Sequence, residues 1–383
     1  MERKIRMGMV GGGQGAFIGA VHRIASRLDG KIELVCGAFD VDPERSKAFG
    51  KEVFLPDNRV YGTYQEMIEA ESKLPEGERM DFVTIVTPNH VHHPVAMAAL
   101  DAGFHVSCEK PMTVTLEQAR ELEQKVKETG LLLLLTHTYT GYPLVKHARK
   151  LVQDGQLGKI RRIVVEYPQG WMATRTEDTG CQQASWRVDP AQSGGSFTMG
   201  DIGTHAANLA ETISGLKITE MCSDLHTYVS GRQLDDDGSI LLRFEDGATG
   251  LLWASGIAIG EENGLNIRIY GEKGGLTWRQ EEPNTLVAAW LDKPKEVLRT
   301  GTTDSQISLD CTRVPPGHPE GYLEAFGNLY NNFATAIADV LAGKSASPET
   351  HDFPSVKEGV RGMAFIQGAV ESSKQQSWIK FPV

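Results

Sequence analysis

The apolar positions follow two different rhythms along the chain. In the first third, short apolar runs at Ile5 to Val10, Ile32 to Phe39, Phe82 to Val86, Phe104 to Cys108 and Leu131 to Thr136 read as strands. Between them lie helical patterns: one through Val21, Ile24, Ala25 and Leu28, one beginning at Pro43, and others from Pro94 to Ala102 and over Leu116 to Glu128. Alternating strand and helix imply a parallel, doubly wound sheet. After a helix from Pro143 to Val152 the rhythm changes to closely spaced strands. These are Ile160 to Tyr167, Ile218 to Val229, Ser239 to Phe244, Thr249 to Ser255, Leu265 to Tyr270 and Gly275 to Trp278. Their turns are marked by Asp235-Asp236-Asp237-Gly238, Glu245-Asp246-Gly247 and Glu272-Lys273-Gly274-Gly275, the grammar of a large, mostly antiparallel open sheet. Helices near 322–342 and 355–372 close the chain. The expected fold class is α/β with two domains, 1–138 carrying the parallel sheet and 139–383 the antiparallel one.

Bulk properties narrow the function. A chain of 383 residues is long for one core, and 40% hydrophobic with 23% charged residues describes a globular protein. No apolar run approaches the roughly 18–20 residues of a membrane span, and the charged N-terminus leaves no room for a signal peptide. The five cysteines are odd in number and scattered without Cys-x-x-Cys spacing, so neither a disulfide framework nor a metal site is expected, and a cytoplasmic location fits. A formal net charge of −11 argues against nucleic acid as a partner.

The first strand ends in Gly11-Gly12-Gly13-Gln14-Gly15, followed by Ala16-Phe17-Ile18-Gly19 and a helix. Strand, glycine turn and helix is the context in which glycines let a backbone approach a pyrophosphate, with free N–H groups at the helix start. Gly11, Gly13, Gln14, Phe17 and Ile18 are therefore candidate cofactor contacts, in a loop that carries about three extra residues against the usual G-x-G-x-x-G spacing. The second strand ends at Asp40, where an acid accepts hydrogen bonds from ribose hydroxyls and repels a 2′-phosphate; NAD is favoured over NADP. Asp42, before Pro43, is the expected helix cap. Ligands in such sheets sit beyond the carboxyl ends of strands, where Thr87, Pro88, Asn89, His92, Glu109 and Lys110 fall.

In the second domain, Gly200-Asp201-Ile202-Gly203-Thr204-His205 sets an acid and an imidazole four residues apart at the start of a helix, on one face. The plain structural alternatives are an N-cap for Asp201 and a packed core histidine for His205. Lys110, stiffened in its turn by Pro111, offers a proton-handling group from the first domain. The acidic run Asp235 to Asp237 reads as a solvated turn, with cation binding by the charge cluster as the alternative.

Together the glycine loop followed by His22, Thr87-Pro88-Asn89 with His92, Glu109-Lys110-Pro111, Trp186-Arg187 before Ser193-Gly194-Gly195, and Asp201 with His205 resemble the Gfo/Idh/MocA oxidoreductases. The resemblance covers nearly the whole chain. It implies a Rossmann domain, a second α/β domain with an open sheet, and NAD(P)-linked chemistry at a CH–OH group of a sugar or cyclitol. It also implies Lys110, Asp201 and His205 as the catalytic group, and Trp186 and Arg187 as further cofactor contacts. Thr138 to Pro143 lacks the arginine many members carry there, and Gly317 to Gly321 is most like members acting on pyranosides. Because sugars show apolar ring faces and many hydroxyls, Tyr139, Trp171, Trp186, Arg187 and His318 join Lys110, Asp201 and His205 as candidate substrate contacts. The uncovered face of the antiparallel sheet suggests a homodimer or homotetramer. Competing readings are an inositol dehydrogenase, a glycosidase using transient oxidation by NAD, and a non-catalytic cofactor sensor, which would not need Lys110 and His205 together.

Overall fold

The computed structural model describes residues 3–382, in two compact units: Met1–Thr136 with Phe326–Val360, and His137–Ala325 with Arg361–Val383. The break at 136/137 lies two residues before the boundary expected from the sequence. The segment 326–360 belongs to the first unit, so neither unit is one continuous stretch. Among the described residues no helix is long and apolar enough to cross a membrane.

The first unit holds β1 (Ile5–Gly11), β2 (Ile32–Ala38), β3 (Phe82–Val86), β4 (His105–Cys108) and β5 (Leu133–Leu135). They form an all-parallel sheet in the order β2-β1-β3-β4-β5. β3 and β4 are buried at every position, as strands covered on both faces must be. Beyond β2 an isolated parallel bridge joins Gly37 to Val60, a vestigial sixth strand on the edge where a dinucleotide-binding sheet carries one. The crossovers contain α1 (Phe17–Ala25), α2 (Pro43–Glu52), α3 (Tyr64–Ser72), α4 (His92–Asp101) and α5 (Leu116–Thr129). Local signals set their ends. The Asp42 carboxylate accepts the N–H groups of Glu44 and Arg45 with Pro43 in the first turn; Thr115 accepts from Gln118, and Gly130 closes α5 in the left-handed region at φ 68°. From the returning segment, Phe333 packs edge-on against Phe82 with ring centroids 5.3 Å apart.

The second unit is built on nine strands: β6 (Ile160–Pro168), β7 (Ile218–His226), β8 (Asp237–Phe244), β9 (Thr249–Ser255), β10 (Asn266–Gly271), β11 (Gly274–Arg279), β12 (Thr285–Trp290), β13 (Glu296–Arg299) and β14 (Ile379–Lys380). Their order is β13-β12-β11-β10-β6-β9-β8-β7-β14, antiparallel except for β6 beside β9. Side chains alternate: Gly238, Ile240, Leu242 and Phe244 of β8 are buried while Ser239, Leu241 and Arg243 face out. Helices Pro143–Gln153 and Thr204–Ser214 pack on the buried face.

Three local expectations change. Phe17 and Ile18 are not extra loop but the first turn of α1, and Gly19 sits inside that helix. A Cβ at Gly19 would stand 2.4 Å from the Gly12 Cα, so its absence lets the helix close on the glycine turn. The helix after Gly200 begins at Thr204, and Met199–Gly203 is a wider π-helical turn. Asp235 and Asp236 are buried rather than solvated: Asp235 accepts the N–H groups of Phe197, Thr198 and Met199, and Asp236 those of Tyr228 and Val229 with the Arg232 guanidinium 3.3 Å away.

Candidate functional site

In the first unit the strand ends carry the candidate cofactor residues. Gly11 and Gly12 take φ of 78° and 72°, which side-chain-bearing residues rarely adopt. A Cβ on Gly11 would stand 2.8 Å from Thr87 Cγ2, and one on Gly13 2.8 Å from the Phe39 carbonyl oxygen. These glycines therefore keep the ends of β1, β2 and β3 drawn together. Gln14 and Phe17 are exposed at the mouth of the turn and Ile18 is half-buried. α1 has neither a side-chain cap nor an acidic residue in its first turn, which leaves its N–H dipoles available to an anion. The buried Thr87 hydroxyl beside this turn has no hydrogen-bond partner among the described residues, a group that a ligand can satisfy. The residues present thus fit a dinucleotide.

At the end of β2, Asp40 accepts the Asp42 N–H at 3.0 Å and pairs with Arg45, also at 3.0 Å. Asn89 is buried just after β3 and Pro88. His92 lies with its ring nitrogens 2.9 Å from the carbonyl oxygens of Pro111 and Thr87, tying the turn after β4 to the end of β3. Burial pushes its imidazole toward the neutral form, which can donate to only one of the two at a time. Glu109, the residue after β4, is buried, and its backbone N–H reaches the Ile85 carbonyl of β3. Its Oε1 faces His22 Nε2 at 2.9 Å and accepts the Thr136 hydroxyl at 2.5 Å, and its Oε2 accepts the Lys110 N–H at 3.2 Å. Burial alone would raise the Glu109 carboxyl, but His22, then Lys110 and Thr136, bring it below the ordinary carboxylate range. Lys110 is half-buried next to it, across a cis bond to Pro111.

In the second unit a different cluster forms. Asp201, in the π-helical turn, accepts Arg187 Nε at 3.0 Å. Arg187 also donates to the carbonyl and side-chain oxygens of Gln183 and lies over the Trp186 ring at 4.3 Å and the Trp171 ring at 5.8 Å. His205 is buried, with its ring centroid 4.8 Å from Tyr139, 5.3 Å from His137 and 6.3 Å from Tyr167. The Nδ1 atoms of His137 and His205 are 3.4 Å apart. Tyr139 and Tyr167 share a hydrogen bond between hydroxyls; Tyr167 donates to Asn263 Oδ1 at 2.7 Å, and Asn263 donates to Gln280 at 2.9 Å. Burial, the Tyr139 contact and, more weakly, the Asp201 charge push the Tyr167 hydroxyl well up, so it stays neutral and able to donate. Asp201 and His205 are thus gathered around the same tyrosine. Asp235 fixes the entry to this turn, since the three N–H groups it accepts immediately precede Gly200.

The structure brings Arg187, Trp171, Trp186 and Tyr139 into this cluster with Asp201 and His205. His318 instead lies on an exposed loop and is hydrogen-bonded to the Pro315 carbonyl. Sequence reasoning missed His137, Tyr167, Asn263 and Asp235. Only His137 had a readable signal, because it follows a strand end.

Comparison with known proteins matches both parts of the chain to one family. Residues 5–137 match a family model described as an oxidoreductase family with an NAD-binding Rossmann fold, and residues 145–277 match the GFO/IDH/MocA C-terminal domain. An uncharacterised oxidoreductase of Bacillus subtilis (strain 168) is 33% identical over 387 residues, covering 100% of this chain and 98% of its own. The levoglucosan dehydrogenase of Pseudarthrobacter phenanthrenivorans is 26% identical over 415 residues, with 99% of each chain covered. Among solved structures, an inositol dehydrogenase homolog from Azotobacter vinelandii complexed with NAD+ superposes with a TM-score of 0.94 at 34% identity, over 100% of this chain and 98% of that one.

Proposed function

This chain belongs to the GFO/IDH/MocA family of NAD-binding oxidoreductases, and from that premise we propose that it oxidises a secondary hydroxyl of a pyranoside, at C3, with hydride passing to NAD. The observation that carries the reading is the cluster around Tyr167. It combines an acid balanced by Arg187, a buried imidazole and a wall of neutral hydroxyl and amide groups, with indole rings alongside. Such a surface offers donors and acceptors to several ring hydroxyls and apolar faces to the ring itself.

Bound NAD would supply the hydride acceptor; the chain's own residues handle the proton. His205 is the proposed base, because an imidazole ordinarily titrates nearest neutrality. Lys110 hydrogen-bonds the reacting oxygen and offsets its developing charge. Asp201, aligned by Arg187, accepts a hydrogen bond from a neighbouring hydroxyl and fixes the ring. His205→Ala is expected to remove or shift the near-neutral limb of the pH–rate profile; an unchanged profile reassigns the base.

A cyclitol is the second reading, favoured by the likeness to the Azotobacter vinelandii inositol dehydrogenase homolog. A panel of sugars, glycosides and inositols screened for NADH production separates the two. Release of aglycone without net NADH would instead indicate a glycosidase that oxidises transiently. Five cysteines scattered along the sequence without Cys-x-x-Cys spacing suit work in a reducing cytoplasm. Assembly as a homodimer or homotetramer through the outer face of the nine-stranded sheet completes the proposal.

A further inference from the structure

The mechanism above uses Lys110 but leaves a chain of buried polar groups behind it unexplained. His22, on α1, is fully buried and is bonded at both ring nitrogens. Its Nδ1 meets the Tyr330 hydroxyl at 2.5 Å and its Nε2 meets Glu109 at 2.9 Å. The Tyr330 hydroxyl continues to Thr84 Oγ1 on β3, 3.2 Å away. Tyr330 comes from the helix Tyr322–Leu341, in the part of the chain that returns to the first unit.

The direction of these bonds follows from the end carrying charge. A carboxylate accepts only, so His22 Nε2 must carry the proton that it points at Glu109. In the neutral ring Nδ1 is then the acceptor, and the Tyr330 O–H donates to it. Glu109 also accepts from Thr136 and from the Lys110 N–H. The chain is therefore polarised toward a single buried negative charge placed one residue before Lys110. The titratable groups around that charge include His22 on α1, Tyr330 on the returning helix, Cys108 on β4, His92 at the start of α4, and Lys110 itself. Burial drives the Cys108 thiol and the Tyr330 hydroxyl upward, so both stay neutral, and His92 is driven toward its neutral form. His22 and Lys110 are thus the basic groups that answer Glu109.

Stability gives no reason for such a chain. Burying charge is costly, and well-packed apolar residues of similar volume often hold a fold as well or better. An apolar trio would fill the space between α1, the end of β4 and the returning helix. What it could not do is hold a fixed negative charge beside the lysine.

We propose that Tyr330, His22 and Glu109 form a positioning chain that fixes the Glu109-Lys110 turn and keeps a permanent negative charge next to the Lys110 amine. None of the three touches substrate in this scheme; they act through the lysine. The chain holds Lys110 as a hydrogen-bond-donating cation toward the reacting oxygen and leaves proton removal to His205. This consequence rests on the catalytic reading above, while the charge placement itself does not.

The test uses the full-length, cofactor-free protein, so that neither substrate nor turnover enters. Acylation of Lys110 by acetic anhydride is measured against pH by peptide mass spectrometry. Glu109→Gln keeps the side-chain shape and removes the charge. The pH of half-maximal labelling is expected to fall by about one unit, the lower end of what a neighbouring opposite charge produces, with the melting temperature recorded alongside. Glu109→Asp, which withdraws the carboxylate by one methylene, is expected to give a smaller fall and carries the test if the amide variant does not fold. A half-point unmoved in whichever variant folds overturns the proposal. That result would leave the catalytic assignment of Lys110 standing, since turnover of Lys110→Ala tests it separately.

Discussion

At the scale of single residues, two side chains carry sharp expectations. Lys110→Ala should lower turnover by about 10²–10³-fold, the usual cost of losing a donor to a developing oxyanion, while NADH still binds as judged by fluorescence titration. A rate near wild type would remove the lysine from the mechanism. Asp40 is the second. Its carboxylate is steadied by the Asp42 N–H and by Arg45, whose side chain is half exposed. An acid here welcomes ribose hydroxyls and repels a 2′-phosphate, yet the arginine on its flank is the type of group that binds that phosphate. Wild-type protein should bind NADH at least about tenfold more tightly than NADPH. Asp40→Ala, which releases Arg45, should narrow the gap by about tenfold, or about 1.4 kcal/mol. Equal wild-type affinities would show that Asp40 does not discriminate.

At the scale of elements, His105 shows how a strand's pairing creates a pH dependence. It begins β4, is buried, and its Nδ1 accepts the Leu132 N–H at 2.9 Å just before β5. Burial, only partly opposed by Asp81, pushes the imidazole down from 6.5 to about 4. The unfolded chain therefore binds a proton between those values and the folded one does not. The stabilisation is present above pH 6.5 and is lost as pH falls through 4, amounting to about 3 kcal/mol across the window. His105→Asn, which can still accept from Leu132, should flatten the urea-unfolding difference between pH 7 and pH 4 by about that amount; an equal difference in both proteins would exclude His105 as the source. The same strands were the most readable part of the sequence, because a strand buried on both faces is a continuous apolar run. β12 and β13 were not readable: both lie at the sheet margin, and Glu296 and Arg299 break up the apolar pattern of β13. α3 offers only Met67 and Ile68 as buried apolar anchors. In the site, the glycine turn and the Asp201–His205 spacing are local and so were legible. The buried roles of Asp235 and Asp236 depend on N–H groups and a guanidinium brought by folding, so an acidic run resembled a solvated turn. Tyr167 and Asn263 join the cluster from residues 96 apart, which no local pattern encodes.

At the scale of the whole molecule, the sheet register explains why more than one copy is expected. Pairing aligns Leu241, Leu251, Val164, Arg268, Thr277, Val287 and Val297 in one row across seven strands, all on the outward face. Leu241 and Val297 are 45% and 61% exposed, and Trp253 stands in the next row beside the Glu166–Arg268 pair. Nine strands at about 4.8 Å spacing and roughly 3.3 Å per residue give a face of about 38 by 23 Å, close to the roughly 800 Å² that each partner contributes to a stable interface. The face is also self-complementary in kind, since an apolar row with one ion pair can meet its own copy across a two-fold axis. Leu251→Glu would then place like charges near the middle of the contact from both copies at once. Its position on an outward face predicts that the fold survives with little change in melting temperature, while sedimentation velocity shows a shift from dimer or tetramer toward monomer. A wild-type protein that sediments as a monomer at micromolar concentration, or a Leu251→Glu variant that keeps the wild-type assembly, would assign the sheet face some other role.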